Sequence, residues 1–282
     1  MRSPLLTPTE VKRLLREHGL APRKAAGQNF VVDPNTVRRI VAAADLAPDD
    51  TVLEVGPGLG SLTLGLAAVA GRVVAVEIDA GMVTALGDVL GDVGNVEVVH
   101  ADALHTRLGD LVGGGPARLV ANLPYNTATP LVMHAIGDPA VTDLFVMVQR
   151  EVGERWAARP GDPLHAGVSV KLALQADVTV ALTIPRSVFL PVPNVDSVMV
   201  RLTRRPDAPS GTQRDRLLRF VDVAFTQRRK TLRNNLRALA PLEVLADAAD
   251  EAGVDLAARA ETLDAAALTR LADALASRDV VG

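Results

Sequence analysis

"TVLEVGPGLGS" (51–61) runs from an apolar, β-branched pentad into three glycines and a serine. The pentad has strand composition. Gly56, Gly58 and Gly60 let the chain turn sharply out of it while the backbone comes close to a ligand, where a side chain would collide. The spacing is GxGxG, not the GxGxxG of the dinucleotide fingerprint, and Glu54 stands two residues before the first glycine. This favours a ligand with no pyrophosphate to dock on the following helix. Tight packing alone can also call for such a turn, so its meaning depends on the neighbouring segments.

Downstream, "RVVAVEI" (72–78), "VEVVHAD" (96–102), "RLVAN" (118–122) and "LFVMVQ" (144–149) are further short apolar runs, separated by stretches of helical length. That alternation is the βαβ signature of an α/β, doubly wound parallel sheet, whose ligands sit at the carboxyl ends of the strands. "DVTVALTI" (177–184) and "DSVMVRL" (196–202) flank a proline-rich loop and suit an antiparallel pair at one edge. The expected total is a seven-stranded, mostly parallel sheet. Before it, residues 8–18 read as a helix capped by Thr7 or Thr9, with Val11, Leu14 and Leu15 on one side, and a second helix is expected near 34–44. "TRRPDAPSGT" (203–212) is a linker candidate, followed by helices broken at Pro241, Gly253 and around Thr262. The domain expectation is therefore a ligand-binding unit at 1–204 and a smaller all-helical unit at 205–282.

The 282 residues carry a net charge of −3 and no cysteine, which removes disulfides, thiolate metal sites and cysteine nucleophiles. No histidine pairing has zinc-ligand spacing, so no metal is expected. A signal-peptide core and a run of about 20 apolar residues are both lacking, and a cytoplasmic location without membrane contact is expected. The net charge hides an asymmetry. Residues 201–237 hold eleven basic and three acidic residues, whereas 238–282 hold three basic and nine acidic. A basic patch facing an anionic partner explains the first segment better than a merely solvated face.

Polar groups recur at the strand ends. Glu77, beside Ile78, lies about 20 residues past the glycine turn, where a carboxylate can accept from both hydroxyls of a ribose. Asp102, beside Ala103, can receive an exocyclic amino group of an adenine, or cap the segment that follows. "NLPY" (122–125) ends the next strand.

This order resembles the methyltransferases that use S-adenosyl-L-methionine, with their Rossmann-like fold, across the first 200 residues. "NLPY" resembles the [DNS]-P-P-[YF] motif of enzymes that methylate exocyclic amino nitrogens. The resemblance implies that the Asn122 oxygen and the Leu123 carbonyl accept from an adenine N6, whose lone pair is otherwise delocalised into the ring. It implies that Pro124 stiffens that carbonyl and that Tyr125 stacks on the extruded base. "GQNFVVD" (27–33), "FLPVPNVDSVMVRL" (189–202) and "AFTQRRKTLRNNL" (224–236) narrow the likeness to the KsgA, or RsmA, family, from about residue 10 to about 275. That family dimethylates two adjacent adenosines at N6 in the 3′-terminal hairpin loop of 16S rRNA, in the small (30S) subunit.

Carried over, Gln28, Asn29, Val31, Gly56, Gly58, Glu77, Ile78, Asp102, Ala103 and Asn122 would hold the cofactor, and Phe189 would flank the target adenine opposite Tyr125. Arg23 and Lys24, with a basic helical stretch of Arg228, Arg229, Lys230, Arg233 and Arg237, would meet RNA phosphates. A monomer is expected, since the ribosomal substrate must cover much of the surface. The chain departs from the family pattern at Ala25 and Ala26, at His165 and Ala166 where a Tyr-Gly pair is common, and at Asn194 where a basic residue is usual. The alternatives are an Erm-type 23S rRNA adenine methyltransferase linked to macrolide resistance, a chiefly non-catalytic small-subunit assembly factor, and an NAD-dependent oxidoreductase, against which the loop spacing speaks.

Overall fold

The computed structural model describes residues 5–22 and 28–280. The chain divides into two compact units, Met1–Gly153 with Thr179–Thr203, and Glu154–Val178 with Arg204–Gly282. The second unit thus takes in residues that precede the last two strands of the sheet.

In the first unit, α1 (Pro8–Glu17) starts at a capping box in which Thr7 and Glu10 satisfy each other's backbone N–H, and it buries Val11, Leu14 and Leu15. After β1 (Phe30–Val31), α2 (Pro34–Ala44) is capped by Asp33 and led by a proline in its first turn, where no N–H is needed. The alternation then begins with β2 (Thr51–Val55), α3 (Ser61–Ala67), β3 (Arg72–Glu77), α4 (Ala80–Leu90) and β4 (Val96–His100). It continues through α5 (Leu108–Leu111), β5 (Ala117–Asn122), α6 (Ala128–Gly137) and β6 (Val141–Gln149). Next come α7 (Arg150–Ala157), α8 (Gly167–Ala173), β7 (Ala176–Ile184), β8 (Phe189–Leu190) and β9 (Ser197–Arg204).

The large sheet has seven strands in the order β4-β3-β2-β5-β6-β9-β7. β2 pairs in parallel with β3 and β5, β3 with β4 and β5 with β6, while β9 runs antiparallel to β6. This is the seven-stranded, mostly parallel arrangement read from the sequence, with the last two strands neighbours at one edge. The strand order reverses between β2 and β5, so their carboxyl ends open the crevice where doubly wound sheets take their ligands. Residues of alternate strand positions, among them Val52, Val73, Val120 and Met147, pack with Val37, Ile40 and Leu66 of α2 and α3. Ala75 packs with α4 and with α1. At residues Asp143 and Arg118, Asp143 accepts from Arg118 at 2.9 Å and from Arg201 at 3.0 Å, tying β5, β6 and β9 together.

One pairing was not visible beforehand. Within the proline-rich loop between β7 and β9, Phe189–Leu190 pairs antiparallel with Phe30–Val31. Two residues are too few to show a period of 2, and this clasp ties the "GQNF" stretch to the "FLPVP" stretch.

The second unit is helical and contains α9 (Gly211–Ala224), α10 (Leu232–Leu236), α11 (Leu242–Ala252) and α12 (Ala265–Ala276), besides α8 and the second half of α7. Leu217, Phe220, Val221 and Ala224 recur at helical spacing on α9, as do Leu268, Leu271, Ala272 and Leu275 on α12, and they form one apolar core with Val170 and Leu174. Gly253 ends α11 with φ +65°. The helix breaks expected at Pro241, Gly253 and Thr262 are all present.

Candidate active site

A cavity of about 260 Å³ opens at the carboxyl ends of β2, β3 and β5. Its walls include Gln28, Asn29 and Val31 from the β1 side, Gly56 and Gly58 from the glycine turn, Glu77 and Ile78 after β3, and Asp102 and Ala103 after β4. Asn122, Leu123 and Pro124 close it at the end of β5. Every residue assigned to a cofactor from the sequence therefore meets in one place.

The glycine turn has a stricter requirement than close approach to a ligand. Gly58 has φ +56°, and a Cβ on it would lie 2.8 Å from the Phe30 ring, so the clasp strand β1 rests directly on the turn. Gly56 has φ +71°, with Pro124 Cδ 3.8 Å from where its Cβ would be, so "NLPY" and the glycine turn are packed neighbours.

Glu77 is 5% exposed and holds the turn from below. Its Oε2 accepts from Gly58 N at 3.2 Å, and its Oε1 accepts from Ile78 N at 2.9 Å and Asp79 N at 3.0 Å. Oε2 keeps one acceptor position for a ligand hydroxyl. Burial pushes the Glu77 carboxyl up, against the pull of these three N–H groups. Ile78 is 62% exposed at the rim and offers an apolar wall to a flat ring. Asp102 lies beyond the end of β4, in a turn and not in the strand. Its Oδ1 accepts from Leu104 N at 2.9 Å, and its Oδ2 meets His105 Nδ1 at 2.7 Å. The His105 contact, then the Leu104 N–H, lowers its carboxyl below the ordinary range.

Glu54 is a group the sequence flagged without a role. It is 1% exposed in the middle of "TVLEV" yet lines the cavity floor. Its Oε2, Ser61 Oγ and Thr63 Oγ1 are buried without hydrogen-bond partners; the Thr63 hydroxyl lies near the carboxyl but not in bonding geometry. Desolvation raises Glu54 to about 8, Thr63 pulls it down and Glu77 pushes it further up. No Lys, Arg or His is among the described residues of the wall. A buried carboxylate oxygen without a partner, in a wall whose described residues include no cation, suits a ligand bearing positive charge and hydrogen-bond donors. A carboxylate in an otherwise apolar strand was the legible signal.

At "NLPY", Asn122 Nδ2 donates to the Asn29 carbonyl at 2.8 Å. A carbonyl only accepts, so the contacting atom is the amide nitrogen, and Oδ1 is left as an acceptor. Leu123 N donates to Met147 O at 3.1 Å, locking the motif to β6. Tyr125 lies outside the cavity wall, half-buried, and shares a 2.9 Å hydrogen bond with the buried Ser197 Oγ at the start of β9. Burial raises its phenol. The tether joins the end of the "NLPY" motif to β9.

Phe189 is not at the cavity. Its ring is 2% exposed in the core beside Val31, its register partner in the clasp. Phe189 thus supports Val31 in this conformation and presents no face to a base.

The basic segment also differs from its reading. Arg228, Arg229 and Lys230 lie in the turn between α9 and α10, not on a helix. Asn235 Nδ2 donates to the Ala224 and Gln227 carbonyls and so closes α9 at Ala224. Arg228 is engaged by Glu261 and the Pro163 carbonyl, and Arg216 by Asp273. The exposed basic residues Arg229, Lys230, Arg233 and Arg237 remain as a cluster. Arg23, Lys24, Ala25 and Ala26 lie outside the described residues. His165 is buried, with Nδ1 at 2.8 Å from Glu261 O and its ring edge-on to Phe225. Asn194 is exposed, and its carbonyl accepts from Arg186 at 3.1 Å.

Among the described residues there is no cluster of metal-ligating side chains and no helix long and apolar enough to cross a membrane.

Residues 19–277 match the family model described as ribosomal RNA adenine dimethylase. A "Ribosomal RNA small subunit methyltransferase A" of Thermobifida fusca is 50% identical over 95% of this chain and 96% of its own length. The protein of the same name from Rhodococcus opacus is 46% identical over 95% and 94%. Among solved structures, a dimethyladenosine transferase from Plasmodium falciparum superposes with a TM-score of 0.78 at 25% identity, covering 89% of this chain and 99% of that one. The 23S rRNA methyltransferase ErmE superposes with a TM-score of 0.69 at 30% identity, covering 88% and 99%.

Proposed function

Because this chain belongs to the ribosomal RNA adenine dimethylase family and is an rRNA adenine dimethyltransferase, we propose that it uses S-adenosyl-L-methionine to dimethylate N6 of two adjacent adenosines. The substrate is the 3′-terminal hairpin loop of 16S rRNA in the small subunit. The small-subunit names of the relatives at 50% and 46% identity favour it over the large-subunit RNA of the ErmE structure.

The observation that carries the chemistry is the Asn122 amide. Its nitrogen is committed to Asn29, so its oxygen is oriented as an acceptor at the cavity edge. There it would accept from the target amino group and favour the pyramidal nitrogen that a methyl acceptor needs, with the Leu123 carbonyl as second acceptor. When bound, the cofactor supplies an electrophilic methyl on a sulfonium, so this chain contributes mainly positioning and strong bases are not required. Glu77 would accept from the ribose, Ile78 would cover the adenine ring and Asp102 would accept from its amino group. Gln28, Asn29 and Val31 would close the site from above. Tyr125, held by Ser197, would stack on the extruded base. Phe189 would act through Val31, unless RNA binding opens the clasp.

The helical unit would serve RNA through Arg229, Lys230, Arg233 and Arg237, with Arg228 holding the turn that carries them; Arg23 and Lys24 would also meet RNA phosphates. A monomeric, cytoplasmic enzyme fits this reading. A role in subunit assembly is compatible with it, and an Asn122→Ala protein that still binds small subunits would separate binding from turnover.

The test is transfer of labelled methyl groups to small subunits from a strain that lacks the modification, followed by nucleoside analysis. Dimethyladenosine is the expected product. Label confined to large-subunit RNA would move the chain to the ErmE-like substrate, and no label in either would leave the assembly role.

A further inference from the structure

The buried carboxyl at the cavity floor has no place in the positioning chemistry described above. Glu54 is 1% exposed and its Oε2 has no partner; the buried Ser61 Oγ and Thr63 Oγ1 of α3 also lack partners, and of these Thr63 lies near the carboxyl. A second carboxylate, Glu77, shares the cavity, and Asp102 stands on its far wall. No described wall residue brings a positive charge. An ionised carboxylate so deeply buried, with one oxygen left without a partner, is costly, and this favours the protonated form.

We propose that Glu54 holds a proton while the cavity lacks a cation and releases it when a cationic cofactor enters, so that cofactor capture is coupled to proton release. This rests on the cofactor reading given above. S-adenosyl-L-methionine would bring a sulfonium and an ammonium within the field of Glu54, and the same low dielectric that disfavours a lone carboxylate then strengthens its attraction to a cation. Among the described residues, the groups that act on Glu54 are Glu77 from β3 and the Thr63 hydroxyl from α3. Glu77 is itself held up by burial but spends its oxygens on three backbone N–H groups. Asp102 is held in its ionised form by His105, whose own ring is 82% exposed and outside the wall.

With Glu54 raised to about 8, most of the ligand-free protein carries the proton at pH 7. Binding that requires the ionised form would then release most of a proton, and the affinity would rise by up to about tenfold from pH 6 to pH 7. That window lies below the cofactor's own α-amino titration, which falls near about 8.

The experiment is calorimetry of S-adenosyl-L-methionine binding to the whole protein at pH 7, in buffers of different ionisation enthalpy, repeated with Glu54→Gln. The wild type should release most of a proton. The variant, which keeps the shape and hydrogen-bonding capacity of a protonated carboxyl, should release close to none and lose the pH dependence between 6 and 7. Binding by the wild type without proton release, or equal release by both proteins, would overturn the proposal while leaving the cofactor reading intact. Failure of the folded wild type to bind at all would remove the cofactor reading and this proposal with it. Should the variant not fold, infrared difference spectra of the wild type decide: the protonated-carboxyl band should vanish on binding, and its persistence refutes the coupling.

Discussion

Replacing Asn122 by aspartate tests the site at a single atom. The substitution keeps size, shape and the oxygen aimed at the target amine, and exchanges only the nitrogen that donates to Asn29 O at 2.8 Å. Two acceptors then face each other across that distance. An unsatisfied buried pair of this kind costs about 1–3 kcal/mol, and more for a charged group. If the cost falls on the productive orientation, turnover drops by about 5- to 150-fold. The direction with pH is diagnostic. A protonated aspartic acid can donate to Asn29 O again, so the variant should recover part of its activity as pH falls toward its carboxyl range. The assay is single-turnover methyl transfer to small subunits between pH 5 and 8, with cofactor saturating. Wild-type turnover by Asn122→Asp at pH 8, with no relative gain on acidification, would refute the view that the Asn29 tether positions the motif.

Three further outcomes follow from the same geometry. Glu54→Gln should stabilise the ligand-free protein at alkaline pH. With a folded value of about 8 against a reference of 4.5, the wild type forfeits on the order of 5 kcal/mol once pH exceeds the folded value, and none below about pH 4; a thermal-melt difference between the two proteins that failed to widen from pH 5 to pH 9 would contradict this. Tyr125→Ala should lower turnover more than cofactor affinity, Glu77→Ala should weaken the cofactor first, and equal effects on both constants in both variants would contradict the assignment. Charge reversal at Arg229 and Lys230 should weaken RNA binding and flatten its salt dependence with little change in stability, whereas Arg228→Glu should also loosen the turn held by Glu261 and the Pro163 carbonyl. An unchanged salt slope for the Arg229 and Lys230 variant would remove this cluster from the RNA surface.

The sheet was legible because each strand is a β-branched run bounded by a turn, and the first helix because Thr7 is an ordinary cap. The gathering of Glu77, Asp102 and Asn122 was legible for a topological reason: parallel strands bring their carboxyl ends to one edge wherever the intervening helices pack. The remainder depended on contacts between segments distant in sequence. The clasp between Phe30–Val31 and Phe189–Leu190 is two residues long and carries no periodicity. It places Phe189 against Val31 and goes with a Phe30 ring that sits over Gly58. The basic run after α9 has helical composition, but Asn235 draws the Ala224 and Gln227 carbonyls away from helix continuation. Glu54 stands out in the sequence as a carboxylate in an apolar strand, but its role stays hidden until burial leaves its oxygen without a partner.

The most direct test of the central claim is to map the methylated positions on small-subunit RNA after incubation with the wild type or Asn122→Ala, using subunits from a strain that lacks the modification. The expected result is dimethylation of two adjacent adenosines in the 3′-terminal hairpin loop by the wild type, and unmodified adenosines with the variant. Modification elsewhere, or an Asn122→Ala protein as active as the wild type, would contradict the account.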